Sequence, residues 1–167
     1  MENIVAKGML IVYVAILIWL VIFKLNVNIW SVIDHHHRSL NLIPFAAPSR
    51  VEGRINFGEM IFNCVFFIPF GLLLNVNFKT VGFWPKLTVI LLFSLTAELI
   101  QYIFAIGATD VTDLITNTLG GFLGLKLYDL SNKFTNQKKL DSIIIAVGII
   151  LLVLFLSMHV SHFIRRK

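Results

Sequence analysis

Residues 109–121 read TDVTDLITNTLGG, a stretch that has two aspartates near its start and two glycines at its end. On a helix, at about 100° per residue, Asp110, Asp113, Asn117, Gly120 and Gly124 fall within an arc of roughly 80°. One stripe therefore changes from carboxylate to amide to bare backbone along the helix. Gly120 and Gly124 form a G-x-x-x-G pair, which lets another helix approach closely in a bilayer. We therefore predict that this stripe faces protein rather than lipid.

The composition of the whole chain indicates an integral membrane protein. Of its 167 residues, 57% are hydrophobic and 14% are charged, and the mean hydropathy is +0.86. A soluble domain carries about 25% charged residues. Uncharged runs cover 8–23, 60–78 and 142–164, and Glu98 alone interrupts the run 87–109. Since a helix needs roughly 20 apolar residues to cross a bilayer, we predict an all-α, polytopic transmembrane bundle that forms one domain, 1–167.

Five helices are predicted, at 7–25, 57–77, 84–106, 111–130 and 142–164. The fourth has an uncharged core of only 12 residues, LITNTLGGFLGL. It either spans the bilayer, with Asp113 and Lys126 near the two interfaces, or forms a re-entrant hairpin.

The connection 26–56 is the only long one, and it contains two prolines and mixed charges, which predict an irregular, solvated loop. The first and third connections of a serpentine chain lie on the same side of the membrane. We therefore expect this loop and the turn 106–110 to be neighbours.

Charge does not decide the orientation, because the 14 lysines and arginines divide evenly between the two sides of a five-span topology. The net charge of +5 fits contact with anionic lipid headgroups. No nucleic-acid partner is predicted, since the basic residues are scattered. The sequence DHHHR at 34–38 is not predicted to bind a metal, because adjacent histidines in an extended loop point to opposite sides. No metal or other cofactor is predicted.

Polar residues of the second and third helices are predicted to lie near the same side as the long loop. Ser94, Glu98 and Gln101 share one face of the third helix, and Glu59 and Asn63 lie one turn apart in the second. An ionisable group within the hydrocarbon layer is costly, and by default it marks a functional site. We therefore predict that Glu98 is functional.

Together with Asp110 and Asp113, the two glutamates place four carboxylates near one membrane face. Both aspartates also have structural interpretations. Asp110 is suited to cap the fourth helix, and Asp113 in its first turn is favoured by the helix dipole. Arg38, Arg50 and Arg54 of the long loop are the nearest counter-charges.

Four segments in this order and spacing resemble the VanZ-like family of small bacterial membrane proteins: NLIPF (41–45), NCVFFIPFGLLL (63–74), ELIQ (98–101) and GATDVTDLITNTLGGFLG (107–124). The resemblance covers 41–124 and leaves 142–164 as an additional C-terminal helix. It implies a cell-membrane protein associated with teicoplanin-type glycopeptide resistance or with a related cell-envelope process. The predicted functional pocket comprises Asn41, Pro44, Phe45, Asn63, Glu98, Gln101, Asp110, Asp113 and Asn117. The predicted helix-packing residues are Pro69, Gly71, Gly120, Gly121 and Gly124.

We expect the pocket to face the cell exterior, with the N-terminus in the cytoplasm, so that it can meet a lipid-linked cell-wall precursor or another envelope polymer. Two alternatives stay open. One is a membrane-embedded enzyme that uses Glu98 and the Asp110/Asp113 pair as acid–base groups or as ligands for a divalent cation. The other is a small oligomeric transporter or channel subunit that uses Glu98 for protons or cations. Whether the chain is an enzyme is left open, because no established catalytic motif occurs.

Overall fold

Helices make up most of the described chain. A computed structural model describes residues 4–23, 39–45, 50–51, 54–55, 57–105 and 108–165. The five helices within these ranges are α1 (Ile4–Phe23), α2 (Phe57–Asn77), α3 (Phe83–Phe104), α4 (Val111–Ser131) and α5 (Gln137–Arg165). The prediction of an all-α bundle is confirmed.

Three of the described helices are long and apolar enough to cross a membrane: Ile4–Ile22 within α1, and the whole of α2 and α3. α4 is an unbroken helix of 21 residues, about 31 Å long at 1.5 Å per residue, and it is not among the three described helices that are apolar enough to cross a membrane. A re-entrant hairpin would interrupt the helix, so that alternative does not fit α4.

α5 begins five residues earlier than the uncharged run predicted, at Gln137 instead of 142. The Asn136 side chain accepts a hydrogen bond from the backbone N–H of Lys138 at 2.9 Å, which caps the new start. Lysine is a good helix former, so the helix continues through the charged residues that ended the apolar run.

α2 and α4 touch backbone to backbone. A Cβ atom added to Gly120 would lie 2.0 Å from the carbonyl oxygen of Cys64, and one on Gly124 would lie 2.1 Å from that of Ile68. From the α2 side, a Cβ atom on Gly71 would lie 2.3 Å from a carbonyl oxygen of α4. Such contacts leave no room for any side chain, so this pair of helices requires glycine at each position.

The long loop and the third connection meet as a parallel pair of short strands, β1 (Ser39–Asn41) and β4 (Ala108–Asp110). Two further strands of the loop, β2 (Arg50–Val51) and β3 (Arg54–Ile55), pair antiparallel. The prediction that the two connections are neighbours is confirmed. The prediction of an irregular loop was wrong at these strands, which satisfy backbone hydrogen bonds through pairing.

A buried apolar layer fills the middle of the bundle. It joins Leu17 of α1, Phe67 and Phe70 of α2, Ile90 of α3 and Leu125 of α4. Large apolar side chains on the outer faces of the helices are exposed, as expected for surfaces that lipid tails cover. The layer divides the bundle into two ends, each of which holds buried polar side chains.

Candidate functional site

The start of α4 is the point at which three segments of the chain meet. Asp110 is the N-cap residue, and its Oδ1 accepts from the backbone N–H of Thr112 at 2.7 Å. The same oxygen accepts from Nδ2 of Asn41 in β1 at 3.2 Å. The backbone N–H of Asp110 donates to Oε2 of Glu98 near the end of α3 at 3.0 Å. The residue that caps α4 therefore also connects this helix to the long loop and to α3.

Glu98 has a structural role that the sequence did not predict. Its side chain is 4% exposed, and its carboxylate accepts from a backbone N–H beside the first turn of α4. Nearby, the Thr109 hydroxyl donates to the Glu98 backbone carbonyl at 3.2 Å. Glu98 therefore closes the connection between α3 and α4, whatever further function it has.

Asp113 joins α4 to α2. It lies in the first turn of α4, where the helix dipole favours a negative charge, and its Oδ1 accepts from Nδ2 of Asn63 at 2.8 Å. Glu59 lies one turn before Asn63 and is half-buried. The three buried carboxylates, those of Glu98, Asp110 and Asp113, each accept a hydrogen bond from an N–H donor.

Two amides extend the polar contacts toward the middle of the bundle and toward α1. Nδ2 of Asn117 donates to the Ser94 hydroxyl at 2.9 Å, and Nε2 of Gln101 donates to the Val21 carbonyl of α1 at 2.9 Å. Both amides are 1% exposed. The side-chain oxygens of Asn117 and Gln101 accept no hydrogen bond from the described residues. Buried acceptors of this kind are normally satisfied by a donor.

The NLIPF segment wraps around the start of α4. The backbone N–H of Ile43 donates to the Asn41 side chain at 3.2 Å, and that of Phe45 donates to the Thr112 hydroxyl at 3.0 Å. Phe45 has a φ of 59°, in the left-handed region that costs a non-glycine residue energy. The side chains of Pro44 and Phe45 are exposed. The Asn41 side chain and backbone N–H groups of this segment make the contacts, while its apolar side chains are exposed.

We call these contacting residues the loop-side cluster, which consists of Asn41, Asn63, Ser94, Glu98, Asp110, Asp113 and Asn117. Among the described residues, no group of three or more His, Cys, Asp or Glu side chains is arranged to hold a metal ion. The DHHHR sequence at 34–38, including Arg38, lies outside the described residues. Arg50 and Arg54 lie in β2 and β3.

A cavity of about 420 Å³ lies elsewhere, between α1, α2 and α5. Its lining is apolar and includes Phe66 and Pro69 of α2 and Gly148 of α5. Around the α2 axis, Asn63 lies about 60° from Phe66 and about 120° from Pro69, and it is not one of the residues that line the cavity. The loop-side cluster and this cavity therefore occupy different faces of α2.

A second polar cluster, which sequence reasoning missed, lies at the other end of the same three helices. Nζ of Lys86 donates to Oδ1 of Asn75 at 2.7 Å. Nδ2 of Asn75 donates to the Leu125 carbonyl at 3.0 Å and to Oδ1 of Asp129 at 3.2 Å. Lys86 is 6% exposed. It lies two turns before Ser94 on the same stripe of α3, and this spacing was the available signal.

The turns at this end are joined by a further ion pair. Lys79, between α2 and α3, pairs with Asp141 at the start of α5. Asp141 also accepts from the Tyr128 hydroxyl of α4 at 2.7 Å. We call the whole group the turn-side cluster, which consists of Asn75, Lys79, Lys86, Tyr128, Asp129 and Asp141.

Comparison with known proteins identifies the family of this chain. The family model described as VanZ/LLP1 matches residues 10–132. The chain belongs to the VanZ/LLP1 family. It is similar to "Protein VanZ" of Enterococcus faecium, with 64% identity over 156 residues that cover 93% of each chain. No solved structure matches it significantly. The VanZ family model covers most of α1 and the whole of α2 to α4, and it includes every residue of the two polar clusters except Asp141 of α5.

The VanZ segments that defined the resemblance are in mutual contact in the fold. NLIPF binds the start of α4 through Asn41 and Phe45. The segment 63–74 of α2 packs on the glycines of α4, and ELIQ reaches Asp110 through Glu98. The segments are separated in sequence but build one structural unit around the first half of α4.

Proposed function

We propose that this VanZ-family protein alters susceptibility to teicoplanin-type glycopeptide antibiotics, or a related cell-envelope process, through the loop-side cluster. The observation that carries the proposal is the convergence of the four VanZ segments on the start of α4. Three buried carboxylates and their amide partners lie at that point, and buried polar groups in a membrane protein are typical of functional sites. The similarity to the E. faecium protein supports the same assignment.

We further propose that the loop-side end faces the cell exterior and that the N-terminus is cytoplasmic. The partner would be a lipid-linked cell-wall precursor or another envelope polymer. Such molecules carry hydroxyl and amide groups, which hydrogen-bond to carboxylates and carboxamides. A tag at the N-terminus that an impermeant reagent labels in intact cells would contradict this orientation.

The two alternative functions use the same residues. A membrane-embedded enzyme would use Glu98 with Asp110 and Asp113, and would be supported by a detected product or a cation requirement. A small oligomeric transporter or channel would use Glu98 for protons or cations, and a strictly monomeric detergent complex would count against it.

Two asparagines of α2 provide a matched test of the proposed site. Asn63 contacts Asp113 at the loop-side end, whereas Asn77 bonds backbone carbonyls at the other end. A strain that lacks the gene would be complemented with wild type, Asn63→Ala or Asn77→Ala, and membrane abundance and teicoplanin and vancomycin susceptibility would be measured. We expect wild type and Asn77→Ala to restore tolerance.

Asn63→Ala should lower tolerance by about fivefold at equal abundance, because one hydrogen bond contributes about 1 kcal/mol. A deletion strain with unchanged susceptibility would refute the proposed role in glycopeptide susceptibility. Equal tolerance in the two variants would place the function outside the loop-side cluster.

A further inference from the structure

Four exposed lysines at the turn-side end are used by neither polar cluster. Lys126 lies on α4, Lys133 in the turn after it, and Lys138 and Lys139 in the first turn of α5. The contact between Lys79 and Asp141 joins α5 to the turn between α2 and α3. The four side chains therefore lie at one end of the bundle, and we call them the lysine patch.

The described acidic residues nearby are already engaged. Asp129 accepts from Asn75, which also contacts Lys86. Asp141 accepts from both Lys79 and Tyr128. Within the described part of this end, the lysine patch therefore carries an excess of positive charge.

The protein's own electrostatics oppose two of these lysines. Lys138 and Lys139 lie at the N-terminus of α5, and the first turn of this helix contains no acidic residue. The positive end of the helix dipole disfavours cations there. An anion outside the protein would relieve this repulsion.

Lys126 indicates the depth of the lysine patch. Its ammonium lies 4.6 Å from the centre of the Phe83 ring and 5.9 Å from that of Phe122. Trp84, next to Phe83, is 72% exposed. Aromatic rings and lysines together are typical of the level at which lipid headgroups lie.

We propose that the lysine patch binds the phosphate-bearing headgroups of anionic phospholipids in the leaflet at this end. Clusters of four to eight basic residues beside a transmembrane helix favour such lipids, and the patch combines this charge with an aromatic interface. The inference is independent of the proposed function, because it involves no residue of the loop-side cluster.

Native mass spectrometry of the purified full-length protein would compare binding of phosphatidylglycerol with that of phosphatidylcholine. Each lysine close to an anionic surface favours the lipid by about fivefold, so wild type should prefer phosphatidylglycerol by at least about tenfold. The variant K126Q/K133Q/K138Q/K139Q should lose most of this preference. Equal affinity of wild type for the two lipids would overturn the proposal.

Two double variants test which basic residues cause the preference for phosphatidylglycerol. They also provide a test that does not depend on the folding of the fourfold variant. K138Q/K139Q should bind phosphatidylglycerol several-fold more weakly, whereas R50Q/R54Q, which removes two charges from β2 and β3, should not. A preference that K138Q/K139Q retains and R50Q/R54Q loses would overturn the assignment. So would competition by inorganic phosphate at the same concentration as the lipid, because the site would then bind any small anion.

Discussion

The polar side chains at the two ends of the α2–α3–α4 unit have different kinds of bonding partner. At the turn-side end, lysines and aspartates are present together, and Lys86 and Lys79 offset the charges of Asp129 and Asp141. At the loop-side end, carboxylates are paired with amides and backbone N–H groups. Contacts between opposite charges can serve as closed structural links. Carboxylates that accept from neutral donors form a different kind of link, which holds Asp110 against Asn41 and Asp113 against Asn63.

This difference indicates which end serves function. The loop-side cluster contains residues of all four VanZ segments, whereas the turn-side cluster contains none. We therefore propose that the turn-side cluster is architectural and that the loop-side cluster is functional. Each of the following substitutions separates these assignments.

The largest effect is expected at the backbone contact between α2 and α4, which joins the two ends. Replacing Gly120 with Leu would place a side chain where even a Cβ atom lies 2.0 Å from the Cys64 carbonyl oxygen. The backbone of α2 cannot move aside as a flexible side chain can. We therefore expect Gly120→Leu to lower the free energy of unfolding by about 3 kcal/mol or more and to leave little folded protein. Size-exclusion chromatography of detergent extracts would measure the amount of folded protein. Gly8→Ala is the control, since nothing lies within 4 Å of the added atom.

A smaller effect is expected at the turn-side end. Lys86→Met removes the donor to Asn75 and should lower stability by about 2 kcal/mol, the contribution of a hydrogen bond to a charged group. Thermal unfolding in detergent would measure the loss. Antibiotic tolerance at equal membrane abundance should not change. A stable Lys86→Met protein that has lost tolerance would show that the turn-side end is functional too.

The smallest effect is expected at Asp110, where two substitutions distinguish the role of the helix cap from that of the carboxylate charge. Asparagine caps helices as well as aspartate does, while alanine loses the cap and about 1 kcal/mol. Thermal unfolding should therefore show Asp110→Ala destabilised and Asp110→Asn close to wild type. If the carboxylate charge is functional, both variants should lower tolerance. Full tolerance in Asp110→Asn would reduce the role of Asp110 to capping.

Much of the fold follows from the sequence because the bilayer imposes length and hydrophobicity on each helix. The serpentine order of the helices also predicted correctly that the long loop and the third connection are neighbours. The strands β1 and β4 could not be predicted, since each has three residues and depends on a distant partner. The early start of α5 was missed because the predicted helix was limited to the uncharged run that begins after Asp141.

The site could be predicted only in part. Spacing placed Glu98, Asp110 and Asp113 at one end, but it could not show that Glu98 accepts the backbone N–H of Asp110. That contact crosses a turn and depends on the tertiary path of the chain. The turn-side cluster was missed because Lys86 was considered only as one of the 14 basic residues counted for the orientation. Its partner Asn75 lies on another helix, and a single sequence does not reveal that pairing.

The central claim is that the carboxylates of the loop-side end serve function and that the polar links of the turn-side end serve architecture. The most direct test complements the deletion strain with Glu98→Gln/Asp113→Asn or with Lys86→Met/Asp129→Asn, and compares teicoplanin susceptibility at matched membrane abundance. We expect the first double variant to lose tolerance and the second to keep it. Tolerance that the loop-side variant retains, or that both variants lose equally, would contradict this division between the two ends.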